Sequence, residues 1–77
     1  MKVFVIHDNK GKIRGVVTSL MDNVGVKAAR GMKVHTMEKE DLESAERRRY
    51  VIDLHKNFKV ETTSGKSRVV QRPRKKS

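Results

Sequence analysis

The chain has 77 residues, no cysteine, and 19 Lys+Arg against 9 Asp+Glu, a formal charge of +10. That length holds one small domain, and without cysteine neither a disulfide nor a thiolate metal site can brace it. No apolar run approaches the ~18 residues of a membrane span, and the short run Val3–Ile6 lacks the apolar length and cleavage site of a signal peptide, so a soluble, cytoplasmic protein is expected.

Residues 2–8 read as a strand. Val3, Phe4, Val5 and Ile6 are β-branched or aromatic in an unbroken run. Their side chains point to both faces, so this strand is expected to be central or covered on both sides. Asp8-Asn9-Lys10-Gly11 suits a type I turn closing with a glycine bulge. Residues 12–20 then return as the second strand of a hairpin.

Asn23, Gly25 and Gly31 break up residues 21–31. This stretch reads as a loop, with room for a short strand at 24–27. Residues 32–37 alternate as a third strand.

Glu38, Glu40, Asp41 and Glu43 open a segment that reads as a helix over about 40–57. Acids favour the positive end of the helix dipole, and Arg47, Arg48, Arg49 and Lys56 follow in the complementary order. Glu43 with Arg47, and Glu46 with Arg49, stand at helical spacing for surface pairs. Leu42, Ala45, Arg49 and Ile52 form one stripe, and Val51, Leu54 and Phe58 another. The second half of the helix is expected to carry most of the burial.

Residues 58–63 alternate as a fourth strand. Ser64-Gly65 suits a hairpin turn, and 67–72 would pair back until Pro73 stops the strand. The fold class is therefore α+β, in the order β-β-β-α-β-β, with a domain over 1–72. Residues 73–77 are expected to be a flexible basic tail. The element order fits either an open sheet carrying one helix or an OB-like partial barrel.

Val, Ile, Leu and Phe number 19 of the 77 residues. That lies above the ~20% floor below which a highly charged chain stays disordered. A core this small supplies no more than about 3–5 kcal/mol net. A homodimer is the remaining brace, and self-association is an expectation to test.

Charge divides unevenly along the chain. Residues 1–63 hold 13 basic and 9 acidic side chains, whereas 64–77 hold 6 basic and no acidic ones. Lys66, Arg68, Arg72, Arg74, Lys75 and Lys76 are the first candidates for contact with a DNA or RNA backbone. Lys10, Lys12, Arg14 and Arg48 are the additional candidates. The blander account is a solubilising terminus that protects an edge strand. Phe4, Tyr50 and Phe58 are the only aromatic rings. Phe4 and Phe58 read as core, so phosphate contact with little sequence readout is expected over base stacking.

Other motifs carry less. Gly65-Lys66-Ser67 resembles the end of a P-loop, but the glycine required five residues before Gly65 is Val60. His7, His35 and His55 are scattered and do not form a ligand cluster. No nucleophile sits beside a base, so neither an enzyme nor a cofactor is expected. Arg72-Pro73-Arg74-Lys75-Lys76 has the composition of a nuclear localisation signal, a pattern common by chance. Two functions remain: nucleic-acid binding through the C-terminal strand and tail, or a protein-interaction and homodimerisation module.

Overall fold

The computed structural model describes residues 1–21 and 25–73. The elements are β1 (Lys2–His7), β2 (Ile13–Ser19), β3 (Lys33–Glu38), α1 (Ser44–Asn57), β4 (Phe58–Thr63) and β5 (Lys66–Gln71). β1 is the centre of an antiparallel three-stranded sheet ordered β2-β1-β3, and β4 and β5 form a separate hairpin. The order is the expected β-β-β-α-β-β. Among the described residues the two sheets share no ladder, so the sheet is open and not a closed barrel.

The central place of β1 follows from its composition. Successive side chains alternate between faces. Val3, Val5 and His7 turn to one face, where Val3 and Val5 join Ile13, Leu54 and Val60 in the core. Phe4 turns to the opposite face and is still only 4% exposed. Both faces are covered, as the unbroken apolar run requires.

The first hairpin closes as its residues dictate. The Gly11 N–H donates to the Asp8 carbonyl at 3.1 Å, and the Asp8 N–H donates to the Lys12 carbonyl at 3.1 Å. Gly11 takes φ +85°, a left-handed conformation that glycine adopts without a Cβ penalty. Left-handed Gly11 is thus the bulge at the turn, and the register shifts separately between Ile6 and His7, where Arg14 is the extra residue on β2. The second hairpin turns through Ser64 and Gly65 with φ of 54° and 78°, and Thr63 pairs with Lys66.

The helix starts later than the acidic run implies. Glu38 ends β3, residues 39–43 are not helical, and α1 begins at Ser44 with Glu43 as its extended N-cap. Asp41 is drawn elsewhere: its Oδ1 meets the Met1 ammonium at 2.8 Å. The Met1 ammonium also donates to the Lys39 carbonyl at 2.8 Å. These contacts prolong the β1–β3 pairing past the strand end and hold the chain extended where the dipole argument expects helix.

The expected surface pairs of the helix do not form. The Arg47 guanidinium donates to Ser44 Oγ at 3.1 Å. Neither Glu43–Arg47 nor Glu46–Arg49 occurs among the ion pairs of the described residues. Burial does fall in the second half: Leu54 is in the core, with Tyr50 and Phe58 packed against it. Ile52 stays exposed.

No strand spans residues 25–27, so the short strand expected at 24–27 is absent there, and Val24 lies outside the described residues. The expected tail beyond Pro73 also lies outside them. Among the described residues no helix is long and apolar enough to cross a membrane.

Candidate nucleic-acid interface

A single tertiary contact builds the site. The Val60 N–H in β4 donates to the Gly11 carbonyl at 2.8 Å. A Cβ added to Gly11 would lie 2.0 Å from the Val60 carbonyl oxygen, so only glycine permits this approach. The contact sets the β1–β2 turn beside the start of β4. Lys10 and Lys12 of the turn then stand next to Lys59.

The turn holds its lysines in place through Asp8. One carboxylate oxygen accepts the Lys10 and Lys12 N–H groups, both at 2.9 Å. The other accepts from Arg14 Nε at 3.3 Å. These contacts, led by the Lys12 N–H, hold the Asp8 carboxyl below its usual range against the opposing effect of burial. The negative charge is thus occupied in shaping the turn.

Two clefts flank the Lys10–Lys59 ridge. The larger, of about 380 Å³, lies between His7, Asp8 and Lys33 on one side and residues 59–62 on the other. Its two acids are engaged: Asp8 with Arg14, and Glu61 with Arg68 at 3.1 Å. The smaller, of about 170 Å³, is lined by Lys10, Lys12, Ile13, His55, Phe58, Lys59 and Arg72. Among the described residues no acidic one lines it. Lys10, Lys12, Lys59 and Arg72 form no ion pair among the described residues. Arg72 is fixed there because its N–H donates to the Asn57 carbonyl at 2.7 Å, extending the β4–β5 pairing.

The described candidates from the sequence distribute over four places. Lys10, Lys12 and Arg72 meet at the small cleft. Arg14 is tied to Asp8, and Lys66 and Arg68 line a separate depression at the β4–β5 turn. Arg48 is exposed on α1 and lines neither cleft. Arg74, Lys75 and Lys76 lie outside the described residues. The sequence reading missed Lys33, Lys59 and His55. Lys59 and Lys33 read only as polar positions in strands, and their meeting with Lys10 depends on the packing of β4 on the turn.

The aromatic rings divide too. Phe4 is buried. Tyr50 is half-buried against the core and carries Lys39 Nζ 4.8 Å above its ring. Burial, with a smaller contribution from the Asp53 charge, raises the Tyr50 hydroxyl above its usual pKa. Phe58 packs on the core and also lines the small cleft. Its place follows from the junction at Asn57, where the helix runs into β4 without a linker.

A second polar contact joins the sheets away from the clefts: His35 Nδ1 on β3 and Ser67 Oγ on β5 share a hydrogen bond of 2.8 Å. His7, 3% exposed, donates from Nδ1 to the Asp8 carbonyl at 3.0 Å. The chain matches no protein-family model, no curated protein and no solved structure.

Proposed function

We propose that the protein binds the phosphate backbone of nucleic acid at the small cleft. The observation that carries this reading is the convergence of Lys10, Lys12, Lys59 and Arg72 around a cavity that no acidic residue lines among the described residues. Unpaired cations held close together repel one another, and a polyanion relieves that repulsion while releasing counterions. Lys33 and the paired Arg14 extend the basic surface, and the chain beyond Pro73 adds three more cations by sequence. Register on the backbone comes from the fixed turn and from Arg72. Sequence readout is weak in this mode, because phosphates carry no base identity.

The test is a salt series with labelled DNA and RNA on the full chain. Log affinity should fall linearly with log salt. Neutralising Lys10, Lys12, Lys59 and Arg72 to Gln should flatten the slope by about 0.9 per lost phosphate contact on duplex DNA. No binding near 50 mM salt, or an unchanged slope in the fourfold variant, rejects the reading.

One observation favours the second reading, a homodimerisation module. Val17, Leu20 and Met21 are exposed large apolar side chains within five residues, on or just beyond edge strand β2. An exposed edge with apolar side chains is a template for another chain. Light scattering at micromolar concentration separates the two: a dimer abolished by Leu20→Lys, with no nucleic-acid binding, supports this second reading.

A further inference from the structure

The small cleft holds more than cations. Ile13 and Phe58 line it too, with His55 from the last turn of α1. Aromatic rings, imidazoles and guanidinium planes are the groups on which proteins stack unpaired bases. Phe58, His55 and Arg72 supply one of each among the residues that line a single cavity, and Lys10, Lys12 and Lys59 line it with them. A duplex buries the faces of its bases in its own stack and presents only phosphates and groove edges to such a cavity. An unpaired nucleotide can offer both a phosphate and a base face.

We propose that the small cleft takes one unpaired nucleotide, its base against Phe58 and His55 and its phosphate among Lys10, Lys12 and Lys59. This rests on the phosphate-binding reading above and deepens it: the ligand class is single-stranded nucleic acid. Ile13, buried in the core, adds an apolar side chain to the lining. Stacking on a ring face tolerates any base. Phe58 thereby has two duties, because it also packs against the core.

The test uses the full chain and three probes of equal length: a 12-nucleotide oligothymidylate, its abasic phosphodiester counterpart, and a 12-base-pair duplex. Fluorescence anisotropy at fixed low salt should rank the base-bearing single strand first. The abasic strand should bind about ten-fold more weakly, the loss expected for one stacked base. Phe58→Leu should erase that difference while leaving the salt slope intact. Because Phe58 also serves the core, His55→Ala on the exposed helix end provides a second variant, with a smaller loss in the same direction. Equal binding of abasic and base-bearing strands, or tighter binding of the duplex, overturns the proposal while the phosphate reading stands. Binding of none of the three probes overturns both.

Discussion

The Val60 amide donates to the Gly11 carbonyl at 2.8 Å, and the Val60 carbonyl stands 2.0 Å from where a Gly11 Cβ would be. This backbone crossing joins the β4–β5 hairpin to the three-stranded sheet and sets Lys10 against Lys59. Gly11→Ala forces both a left-handed alanine and a backbone displacement. Its cost should be about 2–5 kcal/mol. Gly31 is the control: its φ is also positive, at 82°, but nothing lies within 4 Å of its Cβ position. Gly31→Ala should cost only about 1–2 kcal/mol. Urea midpoints of the two variants measure the difference, and equal losses would mean that the crossing carries no weight.

Leu54 is 2% exposed and Ile52 is 47% exposed on the same helix. Leu54→Ala should cost about 2–5 kcal/mol, through lost transfer energy and a residual cavity. A domain of this size holds only about 3–5 kcal/mol, so the variant should be largely unfolded at 37 °C. Ile52→Ala should stay within about 0.5 kcal/mol of the parent. Thermal melts by circular dichroism report both.

His35 gives the fold a pH dependence whose sign is fixed. Burial, and then the charge of His7, lowers its pKa from the ordinary 6.5. The unfolded chain therefore binds the proton more readily than the native chain. Stability is full above about 6.5 and declines as pH falls through the lowered native pKa. His35→Gln removes the titration while leaving a polar partner for Ser67 Oγ. The urea midpoint of the parent should drop from pH 7.5 to 5.5, and the variant's should drop less. Asp8 acts in a separate window: its depressed pKa contributes stability that is lost only as pH falls below 3.8.

Ser64 holds φ at 54° in a two-residue turn with Gly65. Both central residues are left-handed, the requirement of the turn that best matches strand twist, and asparagine meets it better than serine. Ser64→Asn should raise stability by ~0.5 kcal/mol. A melting temperature unchanged or lowered would contradict this.

What the sequence makes legible is local. Asp8, Asn9 and Gly11 specify their hairpin through side-chain and φ preferences within four residues, and the structure has that turn. The Val3–Ile6 run marks a covered central strand for the same reason. Asp41 shows where local reading stops. Its charge suits a helix start, but the Met1 ammonium, distant in sequence and beside it in space, claims it. Lys59 shows the same limit at the candidate site. In the sequence it is one polar position in an alternating strand. Its place opposite Lys10 exists only because Gly11 lacks a side chain and lets β4 approach.

The pairing pattern predicts which cations carry phosphate contacts. Arg68 meets Glu61 at 3.1 Å across the β4–β5 hairpin, and both side chains are substantially exposed. An exposed pair of this kind contributes little to stability, but the carboxylate offsets part of the charge that Arg68 presents to a polyanion. Lys59 has no such partner among the described residues, and its half-buried stem fixes where its amine emerges. Lys59→Gln should therefore lower the salt slope by about 0.7 on a single strand, one full phosphate contact. Arg68→Gln should lower it by clearly less, because the Glu61 carboxylate already offsets part of the Arg68 charge. Glu61→Gln provides the reverse arm, since releasing Arg68 should tighten binding at low salt. Slopes from the three variants, measured on one oligothymidylate, decide the matter. A larger loss from Arg68→Gln than from Lys59→Gln would shift the interface to the β4–β5 turn.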